Sequence, residues 1–348
     1  MLIYVLTDFH IIEIQVYRKN FKMDLEFNVY GREKNLKVKY IFLGIFGAFM
    51  LTYIISYMYN RTASGQITVA GEKEKSVCIY QDGAYEIVDV EEYVQQVLTG
   101  MADDNWNMEM LRTVSVIIRT GIYYQMDKNS KNDSKNGGNT NLINEADLRE
   151  IRYTEDELRE MWGNDYKKII NMTAEAVSDT RGVIIRYDGN VILPVYHLVS
   201  IGHTISADEL FGRDVPYLRQ VASDADRMAD DFSCTKIYSG DRLRKTFQKW
   251  IGDETDAEVK VTRATASGYA HEISVFGNVV DAELFKDQLG LASTNIHIDC
   301  QENEYRIITV GVGDSLGLSL YGAGILAANG ESYEEILRYY YTGVTVGR

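Results

Sequence analysis

Val88–Asp127, VDVEEYVQQVLTGMADDNWNMEMLRTVSVIIRTGIYYQMD, decides the fold. Val94, Val97, Leu98 and Met101 recur at the i, i+3, i+4, i+7 spacing of one buried helical face. Leu111, Val114, Ile118 and Ile122 repeat the pattern, and Val116 and Ile117 make the second helix apolar nearly all round. A helix of that kind belongs inside a domain. Between the two lies a bend at Asp103–Asn107, where Asp103, Asp104 or Asn105 can cap the following helix. The expected centre of the fold is therefore a buried helical hairpin.

The flanking chain mixes strands and helices without strict alternation. Ile67–Val69, Val77–Tyr80 and Tyr85–Val88 read as short strands, the last two joined by the turn Gln81-Asp82-Gly83. Val183–Tyr187 and Val191–Tyr196 flank the hairpin signal Asp188-Gly189-Asn190. Val259–Ala264 pairs with Ala270–Phe276, and Ile307–Gly311 is a further strand. Glu155–Trp162, Tyr166–Val177, Ala282–Leu289, Leu316–Asn329 and Tyr333–Tyr341 carry helical periodicity. The polar segment 129–141 reads as a surface loop. No glycine-rich nucleotide loop follows a strand, so the class is α+β and not a nucleotide-binding α/β fold.

With 36 basic and 51 acidic residues the net charge is −15, which argues against nucleic acid as a partner. Tyr40–Tyr59, YIFLGIFGAFMLTYIISYMY, is uncharged and matches the roughly 20 residues that span a bilayer as a helix. Arg18, Lys19, Lys22, Arg32, Lys34, Lys37 and Lys39 precede it, and Arg61, Lys73 and Lys75 follow. That asymmetry predicts a single-pass protein with residues 1–39 in the cytoplasm and the C-terminal part outside. The expected order is 1–39 cytoplasmic, 40–59 transmembrane, 60–75 linker and 76–348 an extracytoplasmic domain. Met1–Lys22 is too polar to span, and Met23 before a basic segment is an alternative start. Cys78, Cys234 and Cys300 form no CxxC pair; outside a cell two of them can bridge.

Three stretches carry polar side chains suited to chemistry. Tyr196–Thr204 holds His197, Ser200, His203 and Thr204, a set open to nucleophile–base or metal readings and equally to backbone bonding. The six-residue spacing of its histidines is not that of a helical metal pair, and no metal or other cofactor is assigned. Asp103 and Asp104 stand at the bend. Gly311–Ala323 bends through Gly311, Gly313 and Gly317, which bring backbone either to a ligand or against the hairpin.

In order along the chain, these stretches resemble the SpoIID/LytB family, stage II sporulation protein D and the amidase enhancers. The family pattern V-P-L-E-x-Y-V-x-G-V-V-A-x-E-M-P is met by Val90-Glu91-Glu92-Tyr93-Val94, Val97 and Met101. L-E-A-L-K-A-Q-A-V-A-A-R-T-Y is met by Glu109, Leu111, Arg119 and Thr120. Y-H-S-x-S-G-G-x-T corresponds to Tyr196–Thr204, V-P-Y-L to Val215–Leu218 and L-G-L-x-S to Leu289–Ser293. G-H-G-V-G-M-S-Q-Y-G-A corresponds to Gly313–Ala323, and Gly330, Tyr333, Glu335-Ile336-Leu337 and Tyr340-Tyr341 follow the family's ending.

The resemblance implies a two-lobed domain around the helical hairpin, preceded by one transmembrane helix. It implies peptidoglycan glycan strands as ligand, a wall amidase or endopeptidase as partner, and lytic transglycosylase chemistry by one protonated glutamate. That acid is read at Gly100, with Met101 and Ala102 after it, while Asp314 and Leu320 replace the family's His and Gln. In the second helix Ile117 and Ile118 replace small residues. The expectation is a degenerate, non-catalytic cell-wall member, which Gly100→Glu would re-arm. The alternative is an active enzyme whose acid has moved to Asp103, Asp104 or Asp314. The expected cleft is Gly100, Met101, Arg119, His197, Ser200, His203, Thr204, Asp314, Ser319 and Tyr321.

Overall fold

The computed structural model describes residues 75–81, 83–132, 141–252 and 257–348, together with three strands within 2–30 as backbone. The chain divides into two units, Met1–Gly71 and Glu72–Arg348. In the first, β1 (Leu2–Thr7), β2 (His10–Lys19) and β3 (Lys22–Tyr30) form an antiparallel sheet in that order. Tyr40–Tyr59 and Ile67–Val69 lie outside the described residues. Among those described, no helix is long and apolar enough to cross a membrane.

The second unit is built on the hairpin. β4 (Ser76–Gln81) and β5 (Ala84–Asp89) pair antiparallel and lead into α1 (Val90–Met101), whose first turn is capped by the Asp89 carboxylate accepting from Glu91 N–H at 2.8 Å. Glu91 and Glu92 in that turn also suit the positive helix end. Val94, Val97 and Leu98 are buried, as the spacing predicts, with Val90 and Tyr93 beside them, while Met101 is only half-buried. α2 (Met108–Asn132) is capped by Asn107, which accepts from Met110 N–H at 3.0 Å. The cap is thus Asn107, while Asp103 closes only its own turn by accepting from Asn105 N–H. α2 also runs into the expected loop 129–141; positions 133–140 of that loop lie outside the described residues.

Met110, Leu111, Val114, Val116, Ile117, Ile118 and Ile122 of α2 are all buried, each such side chain contributing about 1.5–3 kcal/mol of transfer free energy. Its buried hydroxyls turn inward on the helix: Thr113 donates to Glu109 O and Thr120 to Val116 O. β6 (Leu142–Asn144) pairs parallel with β4. α3 (Glu155–Trp162), with a Thr154/Glu157 capping box, and α4 (Tyr166–Asp179) pack on the hairpin. β7 (Ile184–Tyr187) turns at Asp188 and Gly189, both at positive φ, into β8 (Asn190–Val191). The partner strand is shorter than expected because Pro194, without an N–H, interrupts the ladder.

β9 (Tyr196–His197) is followed by α5 (Ala207–Phe211). A second group begins with β10 (Ser233–Ser239) and α6 (Gly240–Phe247), then β11 (Lys260–Ala264), β12 (Ala270–Val275), β13 (Asn278–Asp281) and α7 (Ala282–Leu289). β14 (Ile296–Gln301) and β15 (Glu304–Val310) complete it, in sheets ordered β10-β15-β14 and β11-β12-β13. The chain then returns: β16 (Leu318–Ser319) pairs parallel with β9, and α8 (Leu320–Ala328) and α9 (Tyr333–Tyr340) pack near α2. β17 (Thr345–Gly347) closes on β7.

Two large apolar cores result, with a small third cluster of Ile201, Ile205 and Tyr269. One draws on Val77 to Leu218 and again on Leu316 to Val344, around the hairpin. The other is contiguous, from Tyr238 to Ile307, with Phe247 stacked on Phe285 at 5.1 Å. The second lobe is therefore an insertion into the first.

Candidate functional site

Gly100 lies in the last turn of α1, and its Cα faces the ring of Tyr153. A Cβ built at position 100 would overlap the ring atoms of Tyr153. Glycine here makes room for an aromatic side chain. It is not a vacated acid position, and an acidic side chain would have to displace Tyr153. The family pattern agrees once it is counted. Run without a gap from Tyr93, Y-V-x-G-V-V-A-x-E ends on Met101, one residue beyond the expected position.

Met101 is half-buried, and its Sδ accepts from the hydroxyl of Tyr196 at 3.9 Å. The Glu150 carboxyl is near enough to the same phenol to act on its ionisation. Glu150 lies in 145–153, a segment without long helices but firmly tied to α1. Tyr93 donates to Glu150 O at 3.1 Å, Arg152 pairs with Glu145 at 3.0 Å, and Tyr153 packs on Gly100. Gly121 of α2 leaves space beside the carboxylate, where a Cβ would stand 3.7 Å from Glu150 Oε2. Arg149 lies over the Tyr196 ring, 5.0 Å from its centroid.

These surroundings act on ionisation. Desolvation raises the Glu150 carboxyl above its ordinary range, opposed by a backbone hydrogen bond, by the Arg149 charge and by the Tyr196 hydroxyl. Burial and the Glu150 charge together push Tyr196 up to about 12. Half-buried Glu150 and Met101 thus lie on the same side of Tyr196, whose hydroxyl donates to Met101 Sδ. Sequence reading missed Glu150, because nothing in LREIRY marks a site; contacts of Tyr93 and Tyr153 place it.

The other expected residues fall elsewhere. Arg119 is fully buried and ion-paired with Glu91 at 2.5 Å, and it also donates to Val183 O. It clamps α2 to α1 and to the turn before β7, and lines no open surface. His197 is buried, with Nδ1 against Leu316 O at 3.0 Å and Nε2 without a hydrogen-bond partner. Burial lowers its pKa, favouring the neutral ring. Ser200 and Ser319 converge on Asp226, a fully buried carboxylate that accepts from Ser200 N–H at 2.8 Å and from Ser319 Oγ at 2.9 Å. Thr204 donates to Arg219 O and accepts from Val221 N–H. His203 lies in an isolated bridge with Ala222, and half-buried Tyr321 donates its N–H to Leu198 O.

The glycine-rich loop packs on the chain around β9, not on the hairpin. A Cβ at Gly313 would sit 2.8 Å from His197 Cβ, one at Gly311 would sit 2.9 Å from Val199 O, and one at Gly317 would overlap Val195 O. Asp103 and Asp104 are exposed. Asp314 accepts from Leu316 N–H at 3.0 Å, and its charge acts on His197, Tyr269 and Lys286. All three cysteines are free thiols.

The helical hairpin, the strands around it and the insertion define an α+β protein with a half-exposed group at the end of α1. The family profile described as SpoIID, Stage II sporulation protein, matches residues 81–187, which span the hairpin and the Glu150 segment. Stage II sporulation protein D of Bacillus subtilis (strain 168) is 25% identical over 276 residues, 78% of this chain and 78% of that protein. The protein of the same name from Bacillus amyloliquefaciens is 25% identical over 82% of this chain and 83% of its own length. The Amidase enhancer of Bacillus subtilis (strain 168) is 21% identical over 50% of this chain and 32% of its own length. The profile match and these relatives together support membership of the SpoIID/LytB family.

Proposed function

We propose that the protein is a membrane-anchored cell-wall protein of sporulation or wall remodelling, held by Tyr40–Tyr59 with residues 76–348 outside the membrane. It binds peptidoglycan glycan strands at the face where α1 ends, between Met101, Tyr196 and Arg149. The relatives named for stage II of sporulation and for amidase enhancement support this reading and make a wall amidase the natural partner.

One observation carries it. In a frame otherwise matched to the family, the acid's register falls on Met101, a thioether with no proton to give. The family position therefore serves binding or assistance to another wall hydrolase. Losing a positioned acid typically forfeits ~10²–10⁴ in rate, enough to end useful turnover from that position.

The test uses the full chain with insoluble glycan strands stripped of stem peptides, and separately with a wall amidase. Co-sedimentation with the strands, or a rise in amidase turnover, is the expected result. A chain that binds neither strands nor amidase is a plain structural anchor, and the reading is wrong.

A further inference from the structure

Away from the end of α1, a half-open cleft of about 260 Å³ lies against the C-terminal half of α2. Tyr123, Met126 and Asp127 of α2 form one wall. Ile184 and Arg186 of β7, with Val191 of β8, form another, and Lys75 joins them from just before β4. Met101, Arg149 and Tyr196 do not line it.

In a chain of net charge −15 this cleft is cationic, because Lys75 and Arg186 line it with Asp127 as the one carboxylate. The Lys75 backbone is fixed, its carbonyl accepting from Val90 N–H at 3.2 Å. Its ammonium lies 4.3 Å from the centroid of the Tyr123 ring, and among the described residues no carboxylate pairs with it directly. Desolvation lowers the ammonium's pKa, and the charge of Asp127 opposes that fall. A half-buried cation so placed gains from an anion that enters the cleft. Arg186 spends Nη1 on Gly347 O at 3.2 Å and Arg348 O at 3.3 Å, which leaves the rest of its guanidinium fork for a ligand. A phosphate presents oxygens in several directions and can meet an ammonium and a guanidinium at once. Met126 and Ile184 are buried, and with Val191 they give the cleft an apolar floor, which suits a ligand that carries carbon beside its charge.

We propose that this cleft binds the phosphate head of an anionic amphiphile, with Lys75 and Arg186 on the phosphate and the attached carbon against Met126, Ile184 and Val191. Lys75 also indicates the source. The chain that follows Tyr40–Tyr59 enters the unit there, and residues 60–74 reach at most about 50 Å when extended. On the membrane-anchor reading above, on which this part rests, an anionic phospholipid of the same bilayer lies within reach of the cleft. A head held there gives the domain a second attachment to the membrane face, and two linked contacts hold far more firmly than one.

The experiment uses the full chain in a neutral detergent. Dihexanoyl phosphatidylglycerol, dihexanoyl phosphatidylcholine and glycerol phosphate are titrated separately. Native mass spectrometry gives stoichiometry, calorimetry gives affinity, and hydrogen exchange gives location. One phosphatidylglycerol per chain is expected, with slowed exchange at 123–130 and 184–191, and weaker retention of the other two probes. Lys75→Gln and Arg186→Gln should each weaken it about tenfold or more, and Lys75→Arg should keep most of the affinity. Arg186 also holds the chain end, whereas the Lys75 side chain makes no hydrogen bond within the described fold, so Lys75→Gln decides if Arg186→Gln folds poorly. No retention of phosphatidylglycerol, equally tight phosphatidylcholine, or unchanged affinity in Lys75→Gln overturns the inference. Glycerol phosphate bound as tightly as phosphatidylglycerol upholds the phosphate site and overturns the amphiphile. An alkaline carbonate wash of membranes reads the anchor separately: release of the chain overturns the anchor and the bilayer as source, whatever the cleft binds.

Discussion

Glu150 and Asp226 are two carboxyls withdrawn from water in opposite ways. Asp226 is fully buried, yet it is met by donors: the Ser200 N–H at 2.8 Å and the Ser319 hydroxyl at 2.9 Å. Glu150 is less deeply placed; Gly121 lies beside its carboxylate, its backbone carbonyl accepts from Tyr93, and the Arg149 charge opposes the desolvation that raises its pKa. Burial depth alone does not decide what a carboxyl does. A carboxyl met by N–H and O–H donors organises the fold around itself, whereas one withdrawn from water with few donors has its ionised form disfavoured. The first supports the junction of β9 and β16; the second belongs to the segment that Tyr93 and Tyr153 hold on α1.

The comparison can be broken experimentally, and the largest effect is expected at Asp226. Asp226→Ala leaves the Ser200 amide and the Ser319 hydroxyl without an acceptor in a dry place, at about 1–3 kcal/mol each. A loss of roughly 3 kcal/mol in denaturant unfolding is expected; a loss under about 1 kcal/mol would show that the network contributes little.

Next comes Gly100→Ala, whose added methyl meets the Tyr153 ring. Overpacking of this kind costs about 1–3 kcal/mol. Because Tyr153 helps to hold the Glu150 segment, hydrogen exchange should quicken at residues 145–153 if it is displaced. Unchanged exchange there would mean that the segment does not depend on this contact.

Tyr93→Phe removes the hydrogen bond to Glu150 O and should cost about 1 kcal/mol, without touching the β9–β16 junction. The smallest change is expected for Glu150→Gln. A glutamate whose folded pKa is raised holds more protons folded than unfolded. Stability is therefore complete below the ordinary glutamate range and falls as pH rises through the folded pKa. Glu150→Gln should match wild type in acid and gain a small advantage toward neutral pH, read as Tm against pH. A constant difference at every pH would mean that Glu150 does not titrate as its surroundings demand.

Much of the frame was legible from periodicity. The buried faces of α1 and α2, the turn at Asp188-Gly189, the β11–β12 pair and the Ala282–Leu289 helix all follow from local pattern and turn chemistry. Legibility failed where distant segments decide. Arg119 reads as a polar side chain near a cleft, yet Glu91 and the Val183 carbonyl draw it wholly inside. Gly100 reads as a lost side chain, but Tyr153, far along the chain, requires the space. Leu316–Ser319 carries helical periodicity, yet part of it pairs with Tyr196-His197 as a strand. Glu150 had no local signal, since the groups that place it come from α1 and α2.

The insertion of the second lobe has a consequence for how the chain comes to be made. Residues 238–307 hold a core drawn from one continuous stretch, available to consolidate as soon as it is synthesised. The hairpin core, by contrast, contains Ile336, Leu337, Tyr340, Tyr341 and Val344. Its helices are among the first parts of the unit produced, and they must wait for nearly the last residues before their apolar faces are covered. Long-range closure of that kind is slow and leaves sticky surface in the open meanwhile. A nascent chain halted before α9 should hold a finished inner lobe and an unfinished outer one.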